Sequence, residues 1–378
     1  MANDMLVFVG TYTEPIRFGT GKILDGKGEG IYAYRLDLAT GALAPLATTT
    51  GVVNPSYLAF DPAQRFLYAV NELKTFEGRP TGTVSAFKID AATGALTFLN
   101  RQPTHGTDPC HVVLDPRGTH VFVANFMSGS VCVLPVRADG SLAPASDFIQ
   151  HVGSGSNPAR QQGPHAHSVT LDKTGRVAFV PDLGLDKLLT YRFEARRGML
   201  EPNRVPWIKM KPGAGPRHVA LAPGGAFAYL VNELDSTIAA LRYDRRTAAF
   251  AELQTVPTLP AGFAGESTCA DIQVAPAGGF VYASNRGHDS IVIHRIDRRT
   301  GRLTYVAHVP TGGRTPRSYG IDPTGKFLLA ANQDSDSIVS FRIDAKSGRL
   351  APTGHVTQVP TPVCVKFMMP APRAKAKA

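Results

Sequence analysis

The sequence predicts an all-β fold, a seven-bladed β-propeller of four-stranded antiparallel blades, and three observations carry that expectation. A unit of about fifty residues recurs six times, each unit reads as short alternating strands, and the two ends together supply a seventh. Repeats at such a period must be recognised before 378 residues are divided into conventional domains.

The repeated core is an apolar strand, an Asp-Pro or Ala-Pro turn, a second apolar strand and a terminal Asn or Asp. It reads YLAFDPAQRFLYAVNE from Tyr57, VVLDPRGTHVFVANF from Val112 and VTLDKTGRVAFVPDL from Val169. It returns as VALAPGGAFAYLVNE from Val219, IQVAPAGGFVYASNR from Ile272 and YGIDPTGKFLLAANQ from Tyr319. The turn residues are Asp61, Asp115, Asp172, Ala222, Ala275 and Asp322, and Asn71, Asn125, Asp182, Asn232, Asn285 and Asn332 each follow ten positions on. The repeated Asn reads as a turn-stabilising side chain. Each unit continues with two more strands of period two, as in IVIHRIDRRTGRLTYV from Ile291.

A four-stranded sheet of this kind cannot bury both faces alone, and radial stacking solves that problem. Val363 to Met369 supplies an innermost strand at the end of the chain, and Met5 to Thr11, Gly30 to Leu36 and Ala42 to Leu46 supply its three partners. Pairing the two ends in one blade hides edges that would otherwise recruit other chains. The propeller is expected to span residues 1–370, and 371–378 to be a disordered basic tail.

Composition narrows the functional classes. Hydrophobic residues make up 43% of the chain, enough for a large core, and 37 Gly and 29 Pro suit many tight turns. The net charge of +10 is scattered rather than clustered and lacks interleaved aromatics, which argues against a nucleic-acid partner. Cys110, Cys132, Cys269 and Cys364 show no C-x-x-C spacing and read as small buried hydrophobes. The N-terminus lacks a basic region followed by a long apolar core, and no apolar run is long enough to span a bilayer, so a cytoplasmic location without membrane association is expected. No feature of the chain specifies an oligomeric state.

The strand entering each unit and the turn after its second strand lie on one face of the ring. One set of positions there reads Ser56, Cys110, His167, Arg217, Ala270, Arg317 and Cys364. The other reads Glu72, Phe126, Leu183, Glu233, Arg286 and Gln333. One histidine, three arginines and a carboxylate gathered on one side of a funnel suggest an anion-binding pocket with an acid/base pair. The alternative is an ordinary ion-pair network at a wide channel mouth. His165 and His167 lack a third ligand at metal-binding spacing, so no metal and no cofactor are expected. GKILDGKG from Gly21 has Gly28 where a phosphate loop needs Ser or Thr, and no nucleophile elbow is present. The loop from Glu14 to Glu29 is expected to cover the funnel.

The segments QGPHAHSV from Gln162, GPRHVAL from Gly215, VNELDSTI from Val231, ASNRGHDSI from Ala283 and TPRSYGIDPTGKFLLAANQ from Thr315 resemble the lactonase-type seven-bladed propellers. FVGTYTE at Phe8 fits the same pattern, and the likeness covers nearly the whole chain. That family includes bacterial 6-phosphogluconolactonase and the fungal 3-carboxy-cis,cis-muconate lactonising enzyme. The resemblance implies that His165 or His167, Arg217, Glu233 and Arg286 line the active funnel; the ring positions add Arg317. The leading expectation is metal-independent hydrolysis of a small anionic sugar-acid lactone, 6-phosphogluconolactone, with His167 and Glu233 as catalytic acid and base. His165, Arg217, Arg286 and Arg317 would bind substrate. A carboxymuconate cyclase and a non-catalytic scaffold are the alternatives, because a fold does not dictate chemistry.

Overall fold

In the computed structural model, which describes residues 4–369, seven four-stranded antiparallel sheets follow one another along the chain. The expectation of a basic tail at 371–378 lies outside the described residues. Six blades are contiguous in sequence, beginning at Leu58, Pro109, Thr170, Pro216, Thr268 and Pro316. The seventh is built from both ends: Pro362–Met368 pairs with Asp4–Thr11, which pairs with Gly30–Asp37 and then Leu43–Thr50. Its closing register sets Leu6 against Met368, Phe8 against Lys366 and Val9 against Val365.

Seven apolar clusters, each shared between consecutive blades, close the ring. The second strand of each blade is buried on both faces, so its residues alternate between two interfaces. In Phe66–Asn71 of the first blade, Phe66, Tyr68 and Val70 pack toward the second blade, with Val112, Val121 and Cys132. Leu67 and Ala69 of the same strand pack toward the seventh, with Phe8, Ile31 and Met368. Strand residues of period two therefore need no polar face. Tyrosines reinforce the stack, because Tyr68, Tyr229 and Tyr282 each donate to the carbonyl of an outer-turn glycine in the next blade, Gly140, Gly301 and Gly348. The four cysteines are buried and unpaired.

The recurrent turn residues explain themselves. Asp61 Oδ1 accepts from the backbone N–H of Arg65 and Phe66, both at 2.7 Å, and Asp322 Oδ1 accepts from Lys326 at 2.8 Å and Phe327 at 2.6 Å. The side chain thus satisfies donors that the hairpin leaves free. Two blades manage with Ala222 and Ala275, relying on the turn's own backbone bonds from Gly225 and Gly278. Asp322→Ala should therefore destabilise without unfolding, by about 1–3 kcal/mol for buried donors left unpaired. A melting temperature equal to wild type in calorimetry would contradict that role. The repeated Asn ties the second strand to the loop behind it: Asn71 Nδ2 donates to Val53 O and Asn285 Nδ2 to Thr258 O, both at 2.8 Å.

Candidate active site at the channel mouth

The two sets of ring positions meet at one end of the channel, around a cavity of about 450 Å³. Its wall includes Glu72, Cys110, Phe126, His167, Glu233, Arg286 and Arg317. The segment between Tyr12 and Glu29 contributes Arg17, Phe18 and Lys22 to the same wall. That segment holds a small hairpin, Ile16–Arg17 against Ile23–Leu24, and is tied across the mouth by Lys22 to Asp334 and Lys27 to Asp336.

Glu233 follows the second strand of the fourth blade, Phe227–Asn232, and is the hub of the charged groups. Its Oε2 accepts from Arg217 Nε at 2.9 Å and lies 3.0 Å from Arg286 Nη2; its Oε1 accepts from Arg160 Nη2 at 2.8 Å. Burial would raise this carboxyl's pKa, but Arg286, Arg217 and Arg160 outweigh it and hold the group well below the ordinary carboxylate range.

The three predicted arginines occupy different settings. Arg217 is 2% exposed, donating from Nε to Glu233 and from Nη1 to the carbonyl of Ala270, with His218 Nε2 3.3 Å from Nη1. It lines the narrow space beneath the main cavity, not the cavity itself. Arg286 lines the cavity while its Nη2 donates to Cys269 O at 2.7 Å; burial lowers its pKa to about 10, which leaves it charged. Arg317 stands apart from these pairings. Its guanidinium lies 5.0 Å from the Phe18 ring centre and 5.6 Å from that of Tyr12, and among the described residues no carboxylate forms an ion pair with it.

The two histidines of the PHAHS segment part company. His165 points to Phe126, donating from Nδ1 to its carbonyl at 3.0 Å and stacking on its ring at 4.8 Å. His167 faces the cavity, with Nδ1 3.6 Å from Cys110 Sγ. Burial, followed by the charge of Arg217, lowers the His167 pKa well below 6.5, so the ring is neutral near pH 7. Burial pushes the Cys110 thiol well above its usual range, so the sulfur stays protonated.

Several lining groups were not among the site residues expected from the sequence. Arg160 and the lining residues Arg17, Phe18 and Lys22 lie in segments outside the repeats. Asp108 sits two residues before the ring position Cys110, just outside the counted phase. Glu72 occupies a ring position but stands in a blade whose other members there are small or apolar; its Oε2 accepts from Tyr12 at 3.0 Å.

A family model described as a lactonase, seven-bladed β-propeller, matches residues 6–367. The chain belongs to the lactonase family of seven-bladed β-propellers. The 6-phosphogluconolactonase of Bacillus subtilis is 37% identical over 361 residues, covering 96% of this chain and 97% of the relative. The solved structure of the periplasmic gluconolactonase of Pseudomonas aeruginosa superposes with a TM-score of 0.89 at 35% identity, covering 97% of this chain and 100% of the other. A structure titled as a putative 6-phosphogluconolactonase from Bacteroides fragilis gives 0.88 at 35% identity, covering 97% and 99%. These relatives make this lactonase a lactone hydrolase by family.

Proposed function

We propose that the protein hydrolyses an anionic sugar-acid lactone, 6-phosphogluconolactone, in the cavity at the channel mouth. The observation that carries this reading is one wall holding both a neutral, buried imidazole, His167, and Arg317, which forms no ion pair with a carboxylate among the described residues. The volume of about 450 Å³ suits a small substrate, and the name of the Bacillus relative supports the choice of lactone.

In this scheme His167 takes a proton from water as the oxygen attacks the ring carbonyl, and the carbonyl electrons move to oxygen. Arg286 stabilises that oxyanion, and Arg317 binds the substrate's fixed anion through its planar fork. Arg217 and Glu233 act one layer back. Both oxygens of Glu233 are held by Arg160, Arg217 and Arg286, so Glu233 sets the angle of Arg286 instead of accepting a proton from water. His165 is assigned to holding the Phe126 wall. No step calls for a metal ion. The cytoplasmic location expected from the sequence belongs to this proposal, and cell fractionation tests it.

The test is hydrolysis of freshly generated 6-phosphogluconolactone, coupled to oxidation of the product. Turnover well above the spontaneous rate is expected from the wild type. Arg317→Met should raise KM about 10- to 100-fold, the loss of a charge-assisted contact of about 1.5–3 kcal/mol, with a smaller change in kcat. An unchanged KM would remove Arg317 from substrate binding.

A further inference from the structure

Five blades are entered through an X-Pro pair whose first residue has a positive φ: Asn54 (40°), Asp108 (52°), Gly215 (67°), Thr315 (58°) and Thr361 (39°). The turn itself therefore accepts Asn, Gly or Thr and does not require a carboxylate. Where this residue has a polar side chain, the side chain is normally engaged by the protein. Asn54 Oδ1 accepts from the N–H of Thr13 and Glu14 at 2.8 and 3.0 Å. Thr315 Oγ1 donates to Asp334 at 2.9 Å, and Thr361 Oγ1 to the carbonyl of Tyr12 at 2.6 Å.

Asp108 breaks this pattern. Only its backbone is tied down, its N–H donating to Leu73 O and its carbonyl accepting from Phe126 N–H, both at 2.9 Å. The side chain lines the cavity, the residue is 3% exposed, and Oδ2 is buried with no hydrogen-bond partner among the described residues. A buried carboxyl without a partner is costly, and such groups in a cavity are candidates for work on a ligand. Cys110, two residues on in the strand Pro109–Leu114 that Asp108 precedes, places its sulfur 3.6 Å from the ring of His167, and Asp108, Cys110 and His167 line one pocket.

We propose that Asp108 is the second acid–base group of this cavity, the one that protonates the departing ring oxygen of the lactone. The assignment rests on the lactone-hydrolase reading above. His167 removes a proton from water, and the new C–O bond forms as the carbonyl becomes an oxyanion. When the C=O bond re-forms, the bond from carbon to ring oxygen breaks, and that oxygen receives the proton of the Asp108 carboxyl. The product is the open hydroxy acid. The proton held by His167 then returns to the Asp108 carboxylate through solvent, which restores both groups.

Burial, then the like charge of Glu72, raises the Asp108 pKa to about 7, opposed by Lys74. The nearby Cys110 remains a neutral thiol, so Glu72 and Lys74 are the charges that bias Asp108. A group poised near the working pH is suited to give and recover a proton. Its acid form is lost as pH rises through about 7, whereas His167 becomes protonated only well below 6.5. The profile of kcat/KM should therefore have an alkaline limb near neutrality that belongs to Asp108.

Two variants test this on the full-length enzyme. Asp108→Asn keeps shape and tolerates positive φ; Asp108→Gly reproduces what the fourth blade has at Gly215 and guards against misfolding of the first. Both should melt near the wild type, lower kcat about 10²- to 10⁴-fold and lose the alkaline limb, with formate partly restoring the rate of the glycine variant. An active wild type whose alkaline limb persists in both variants overturns the assignment alone. A wild type no faster than spontaneous hydrolysis overturns the hydrolase reading, and this assignment with it.

Discussion

Replacement of His167 by glutamine is expected to lower kcat by about 10²- to 10⁴-fold, the usual contribution of a positioned proton acceptor. KM should change little, because the substrate's anion is assigned to Arg317 and its carbonyl to Arg286. The position of the His167 ring and the way it is held suit that role. It is 5% exposed, on the cavity wall, with Nδ1 facing Cys110. Burial and the nearby Arg217 keep it neutral well below its ordinary pKa, so it is in its basic form throughout the physiological range. The same setting places the acidic limb of the wild-type profile well below pH 6.5, and that limb should vanish in the variant. Turnover within twofold of wild type at neutral pH would exclude His167 as the base.

Glu233→Gln is expected to be the most damaging single change at the site, but for a reason other than lost basicity. The carboxylate pairs with three guanidinium groups from three segments: Arg160 before the third blade, Arg217 in the fourth and Arg286 in the fifth. Removing one partner of a buried ion pair costs about 3–5 kcal/mol, because the remaining charge has no solvent to replace it. The variant should melt several degrees lower and lose both kcat and substrate affinity. The depressed pKa means that the carboxylate's contribution is fully present above the unfolded value of about 4.3 and is lost as pH falls below it. Wild type should therefore lose stability on acidification below that point, and the variant should lose less over the same interval. A variant with wild-type stability and affinity but no turnover would return the base to Glu233.

The propeller was legible because its physics repeats. Asp61, Asp115, Asp172 and Asp322 recur since each caps a hairpin, and the apolar runs recur since each second strand is buried twice. The phase of those repeats also brought His167, Arg217, Glu233, Arg286 and Arg317 to one mouth. What phase does not carry is depth and partnership. Arg217 and Arg317 share one ring position, yet one is consumed by Glu233 and Ala270 and the other faces the cavity. Likewise His165 and His167, two residues apart on an extended segment, send their rings to different places. Arg160 and the strap from Tyr12 to Glu29 lie between repeats, where no periodicity marks a residue, and Asp108 looks like an ordinary turn former until its carboxyl is seen to lack a partner.

The role proposed for this mouth is that of a hydrolase site selecting a lactone by its anion. Its most direct test is the ratio of kcat/KM for 6-phosphogluconolactone to that for the same lactone without phosphate, measured in wild type and in Arg317→Met. A preference of about 10- to 100-fold for the phosphorylated lactone, collapsing in the variant, is the predicted result. Equal rates for both lactones, or a preference that survives loss of Arg317, would contradict it.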